Sequence, residues 1–406
     1  MVRPLSRRAM LAPLTLAVAT LVACGGGDAA SGGAAGDGGA VSLGSPEASF
    51  PQDFGAIQTA LERSDGTVLV ADPLGGALYS VDLGAGTREQ IGQEGQGPEE
   101  YQQPDAVWAL PGDSTLLVDL GNGRMVSLGP DLGFGPTGPL SAGDPRTGLT
   151  VAIPEAVDGN GDVYSRSMGG GMGVERPDSG AVLRITRGTL EIDTVAMFKL
   201  PEVTITESGS GNNRNVSMSL IPLSGQDAWG VAQDGSIVLA RAGDYHVEWI
   251  GTDGSVTAGP PVEYETFAIG MDEKREWSRS QAETGGGISI GITVDNGVLS
   301  TSFGRGGGGG GQDEDEDLDQ YAWPDAKPPF YGTRIIVDPQ NRAWVRRHVD
   351  AGQPTTYDVF DRRGDRVATY ELPFRSRVVS FGPSGVYVAS LDDFDLNYLH
   401  RYAMPM

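Results

Sequence analysis

Val118-Asp119-Leu120-Gly121-Asn122-Gly123-Arg124-Met125-Val126 is the stretch from which the fold can be read. Leu116 to Asp119 is a short aliphatic run ending in an acid, and Arg124 to Leu128 is a second run of similar length. Leu120 and then the turn-formers Gly121, Asn122 and Gly123 stand between them. Gly and Asn accept the positive φ that tight turns between strands demand. Two short β runs across such a turn predict a hairpin.

The same unit recurs along the chain. Its second-strand runs begin at residues 68, 116, 163, 237, 343 and 386, with spacings of 48, 47, 74, 106 and 43. The short spacings match one four-stranded propeller blade, about 40–50 residues. The two long ones imply insertions, at about 201–227 and 264–330. Six units predict an all-β, six-bladed propeller over residues 41–406. The last unit supplies only about three strands before the chain stops, so the ring is expected to close with a strand from about residues 41–53, which removes two exposed sheet edges.

Composition agrees with this. The chain has 62 Gly and 26 Pro in 406 residues, too many breakers for a helical bundle and without the period of a collagen. Its net charge of −25 gives no basic footprint for nucleic acid.

The Val118–Val126 stretch resembles the NHL repeat, in which V-D-x-x-N-x-R-I/V links the second and third strands of a blade. Ile91 to Tyr101 (IGQEGQGPEEY) resembles the linker after the first blade in bacterial six-bladed β-propeller lipoproteins of the NHL and TolB-like type. Lys327 to Phe330, with Val337-Asp338 and Trp344-Val345-Arg346, resembles their fifth blade. Unit one departs from the pattern, with Gly76-Ala77 where Asn and Arg would stand, and units three and four lack it. This class has no single activity, so the resemblance implies a fold and not a reaction.

The N-terminus reads as an address. Arg3, Arg7 and Arg8 precede an uncharged apolar run, Ala9 to Ala23, too short to span a bilayer but right for a signal-peptide core. Leu21-Val22-Ala23-Cys24 resembles the bacterial lipobox, which implies cleavage after residue 23 and lipidation of Cys24. Cys24 is the only cysteine, so no internal disulfide can form. Ser6-Arg7-Arg8-Ala9-Met10-Leu11 also resembles a twin-arginine signal, leaving two export routes open. Residues 24–40 form a Gly/Ala-rich tether. Gly25 to Gly27 carry no acidic inner-membrane retention cue, so the outer membrane, on its periplasmic or surface face, is the expected address. Removing the signal takes out three arginines and no acid, making the chain three charges more negative.

Chemistry is harder to find. Met271 to Glu283 lacks Gly and Pro and predicts a helix within the second insertion, a candidate lid. Asp313 to Asp319 is read as a solvated acidic loop, since it lacks the glycine and terminal glutamate spacing of a calcium loop. His246, His348 and His400 are the only histidines, and their strand positions do not suggest a zinc centre. No catalytic set, metal site or cofactor is expected. Loops joining second to third strands, and one blade to the next, share one face, here called the top. Glu100, Tyr101, Asp119, Arg346 and Arg347 are the candidate top-face binding residues. Asp72 and Asp119 end second strands, where an acid ordinarily caps a turn. The expectation is a lipid-anchored, monomeric envelope module that binds a protein, peptide or glycan through this face. The alternative is a propeller lyase or lactone hydrolase with a carboxylate-held divalent metal in its channel.

Overall fold

Each of the six runs is the second strand of a blade of four antiparallel strands in the computed structural model, which describes residues 39–405 apart from 145–147, 168–176, 211–212, 284–287, 296–297, 306–317 and 333. Cys24, the signal and most of the tether lie outside the described residues, as do the 306–311 glycine tract and most of the acidic run. Blade 1 contains Ala60–Glu62, Val68–Asp72, Ala77–Asp82 and Thr87–Ile91. Blade 2 contains Pro104–Leu110, Ser114–Asp119, Arg124–Leu128 and Phe134–Pro139. The second strands of blades 3 to 6 are Val163–Ser167, Ile237–Arg241, Ala343–Arg347 and Gly385–Leu391.

The ring closes through the N-terminal segment. Ala48–Ser49 pairs antiparallel with Asn397–Tyr402 as the outer strand of blade 6. Val41–Ser42 adds a further feature, pairing in parallel with Arg366–Leu372 as a fifth strand on blade 5.

The second strands read as continuous apolar runs because both of their faces are buried. Val68 and Val70 point toward blade 6, where they meet Val379, Tyr387 and Leu399. Leu69 and Ala71, one residue out of phase, point toward blade 2 and meet Val107, Leu117 and Val126. This period of two sends alternate residues into successive interblade cores. The other blade junctions are filled likewise: 2–3, 3–4, 4–5 and 5–6. Phenol groups peg several of them. Tyr101 Oη accepts from the Leu78 N–H at 3.1 Å, Tyr357 Oη from the Val378 N–H at 3.1 Å, and Tyr245 Oη donates to Asp358 at 2.7 Å. Burial, with Asp358 alongside, raises the Tyr245 pKa well above its ordinary value.

The deciding stretch now has a physical account. Asp119 is fully buried and accepts from the N–H groups of Gln102 and Gln103, at 3.0 and 3.1 Å, and from the Asn122 side chain at 2.7 Å. It thereby ties the segment entering blade 2 to the turn between its second and third strands. A Cβ on Gly121 would come within 2.5 Å of the Gln102 Cβ, and Gly123 has φ +61°. Arg124 pairs with Asp119 at 3.3 Å and donates to the carbonyls of Gly97 and Glu100. In blade 1, Asp72 does the same work, accepting from the N–H groups of Gly55, Ala56 and Gly75.

The two faces differ in their loops. The turns of the lower face are a few residues long in every blade, apart from the connection 186–191. Interblade connections of the top face carry the extra structure: hairpins Ser141–Asp144 with Gly148–Val151, Val203–Ser210 with Asn213–Leu220, and Ile288–Asp295 with Val298–Arg305. Helix α1, Met271–Glu283, lies in the connection from blade 4 to blade 5.

Candidate functional site: the top face

Helix α1 is polar and is held by a few contacts. Its N-terminus is capped by Glu273, which accepts from the Gly270 N–H at 3.0 Å and from the Ala351 N–H of blade 5 at 3.3 Å. Burial would raise the Glu273 carboxyl, but these N–H groups and Lys327 at 3.9 Å bring its pKa below the ordinary value. Trp277 packs edge-on against Tyr321 and Trp323, each at 5.3 Å between ring centres. Glu276 and Arg279, further along the helix, line a cleft with Arg375 at the start of blade 6.

The same insertion then docks on blade 2. Arg305, at the end of its hairpin, grips Asp105 with two bonds of 2.6 and 3.2 Å. The Gln103 side chain brackets the Arg305 backbone, donating to its carbonyl at 2.9 Å and accepting from its N–H at 2.8 Å. Phe303 packs beside Leu120 and Leu140. Ile288, paired with Arg305, lies only five residues after the helix ends. Five residues span at most about 18 Å. The insertion therefore runs from blades 5 and 6 to blade 2 across the top face, as a strap.

Below it, the channel mouth is occupied by arginine. Arg334, entering blade 5, donates to the carbonyls of Glu155 before blade 3 and Val379 in blade 6, both at 3.2 Å. Its guanidinium also lies 4.6 Å from the ring centre of Trp108 in blade 2. One side chain thus touches three blades besides its own. Burial, with Arg377 nearby and Glu155 partly offsetting, lowers its pKa to about 10. Arg377 donates to the Ile57 carbonyl of blade 1. The Glu155 carboxylate is held by Arg166 with two bonds, at 2.6 and 2.7 Å.

This donor set does not suit a divalent cation. Asp105 and Glu155 are both engaged by guanidinium groups, and the Arg334 guanidinium stands among them. Among the described residues, no three of His, Cys, Asp and Glu converge in a metal-binding geometry. His348 is buried and stacked on Tyr331, with ring centres 3.7 Å apart. Burial first, then Lys327 and Arg346, holds its pKa well below the ordinary value, which keeps it neutral.

The five candidate binding residues separate. Arg346 and Arg347 line the cleft by α1, with Arg279, Tyr331, Thr355, Phe374 and Arg375 among their neighbours. Tyr101 and Asp119 lie inside the protein, the first as an interblade peg and the second as a turn cap, and neither can reach a ligand. Glu100 is spent on its own linker. It accepts from the Gly97 N–H at 2.6 Å and from the Gln93 side chain, and these bonds hold its pKa below the ordinary value. Sequence reasoning missed Arg279, Arg305, Arg334 and Arg375, which lie on a helix, at a strand end and in connecting loops with no motif around them. Two adjacent arginines ending a strand were the only local signal for the cleft.

Comparison with protein-family models and with curated proteins returned no match. Solved structures similar to this chain include a protein of Bacteroides fragilis described as exported, 12% identical, covering 90% of this chain and 94% of the other, with TM-score 0.43. Virginiamycin B lyase from Staphylococcus aureus, solved with quinupristin, is 12% identical over 88% and 98% of the two chains, with TM-score 0.37. A gluconolactonase from Xanthomonas campestris is 7% identical over 90% and 97%, with TM-score 0.37.

Proposed function

We propose that this chain is a lipid-anchored envelope propeller that acts as a binding module through its top face. The lipid on Cys24 would hold it at the membrane, with the outer membrane favoured and the tether giving the body reach. The observation that carries the reading is the asymmetry of the loops: the hairpins and the helix all rise from interblade connections on one face. The arginine-filled channel mouth adds support, since it leaves the cleft beside α1, and not the channel, as an accessible concave surface. The same filling weighs against the lyase or lactone-hydrolase alternative, which needs metal-holding carboxylates there.

Two experiments test this. Azide-tagged palmitate fed to the producing cells should label the wild type and not Cys24→Ala, which should leave the membrane fraction. Cross-linking of the full-length protein in its own envelope should yield a discrete partner with the wild type and lose it with Arg279→Glu on the top face. Arg187→Glu on the lower face should change nothing. No specific adduct, or equal loss with both variants, overturns the reading.

A further inference from the structure

The net charge of −25 makes any local surplus of positive charge informative. Arg279, Arg346, Arg347 and Arg375 line one open surface cleft, and among the described residues Glu276 is the only carboxylate lining it. They come from three separate elements: helix α1, the end of the second strand of blade 5, and the connection into blade 6. Long-range repulsion within the cluster therefore has to be offset, and three of the four are held in place. The Arg346 guanidinium lies 4.4 Å from the Tyr331 ring centre. Arg347 faces the buried Asp358 at 3.6 Å. Arg375 donates to the Asp392 carbonyl at 3.0 Å and pairs with Asp395. A guanidinium has five N–H donors, and the 3.6 Å approach of Arg347 to Asp358 leaves that side chain donors for a ligand. Arg279 is exposed on the helix and completes the ring from the strap side. Phe374, 41% exposed, and Val349 give the same cleft an apolar margin.

We propose that this cleft is a binding site for a compact oxyanion, a carboxylate, sulfate or phosphate group carried on a larger molecule. A planar guanidinium fork matches such groups with paired, charge-assisted hydrogen bonds. Held side chains lose little freedom on binding. Phe374 and Val349 contact the carrier next to the anionic group. This assignment rests on the top-face binding role and names the chemistry of what it takes.

The test is calorimetric titration of the full-length protein with sodium sulfate, sodium phosphate and sodium glucuronate, at ionic strength fixed with sodium chloride. Saturable binding of at least one anion at millimolar concentration is expected. Tighter binding of sulfate or phosphate assigns a tetrahedral group, and tighter binding of glucuronate assigns a carboxylate. Arg279→Gln, at an exposed helix position, should weaken binding by about tenfold or more, the loss expected for one charge-assisted contact. Arg187→Gln, which removes the same charge from the lower face, should leave it unchanged. Failure of all three anions to saturate, or equal effects of the two variants, overturns the assignment. If envelope cross-linking still responds to Arg279→Glu in that case, the binding-module role stands without it. If the wild type also yields no specific adduct, or Arg279→Glu and Arg187→Glu act alike, both fall.

Discussion

Arg305→Met probes the strap at its anchor. The side chains of Arg305 and Asp105 are only 9% and 5% exposed. With the strap kept in place, the substitution strands the Asp105 carboxylate in a buried site, at about 3–5 kcal/mol. The molecule has an escape: the hairpin can lift and let water reach Asp105. That route costs the two backbone bonds made by Gln103, about 1 kcal/mol each. It also costs the partial burial of Phe303, about 1–2 kcal/mol. The cheaper route sets the effect, so unfolding in urea should show a loss of about 3–4 kcal/mol at most. Hydrogen exchange should rise in peptides spanning 298–305 and 103–106, while peptides of the blade 1 core around 68–72 keep their protection. Asp105→Asn added to Arg305→Met removes the stranded charge and should restore part of the stability. A loss under about 0.5 kcal/mol with unchanged exchange, well below the cost of an uncompensated buried charge, would refute the strap as a docked element.

Other perturbations address the ring and its buried groups. His348 has a folded-state pKa depressed below its unfolded value, so only the unfolded chain takes up the proton just below about pH 6.5. Stability should be complete above that pH and fall as pH drops toward the folded pKa, by up to about 1.4 kcal/mol per unit. His348→Gln should flatten that slope in urea midpoints measured between neutral and mildly acid pH. Arg334→Met leaves the Glu155 and Val379 carbonyls without their donor and should cost about 2 kcal/mol by the same assay. Phe50→Ala empties a fully buried position beside the closing strand and should cost about 3–5 kcal/mol. Exchange should then rise first in residues 397–402, which the closing strand covers.

The blades were legible because their signals are local. Each second strand is a short, mostly apolar run bounded by a turn, its charged residues gathered at one end, as with Asp72, Asp119, Arg241 and Arg347. Closure was legible by counting strands. The features that organise the site depend on partners far away in sequence. Arg305 and Asp105 lie 200 residues apart, and nothing near either one forecasts the pair. Arg334 is a lone charged residue in a loop, and its role exists only once blades 2, 3 and 6 are assembled around it. Tyr101 misled for a related reason. It stands in a polar, Gly-rich linker that reads as exposed, and the partner that lets its hydroxyl be buried is the Leu78 N–H of the preceding blade. Helix α1 was legible as a helix from its own composition, while the course of the insertion is fixed by distant contacts, Glu273 with Ala351 and Arg305 with Asp105.

Charge distribution ties these observations together. Excess acid over a whole surface produces a field that repels anions, but salt screens it beyond about 8 Å at physiological ionic strength. The arginines of the cleft act at contact distance, where screening is weak. The two effects therefore oppose each other as salt is raised. Screening removes long-range repulsion that slows an anion's approach, and it weakens the contact only in part. A basic surface patch loses affinity steeply with salt, because both effects then have the same sign. For this chain the loss should be shallow, and at low salt adding chloride should speed association of a multivalent anion. A steep loss of affinity over that range would mean that the acidity of the chain does not reach the top face, and that the arginines act there as a diffuse field and not as a built site.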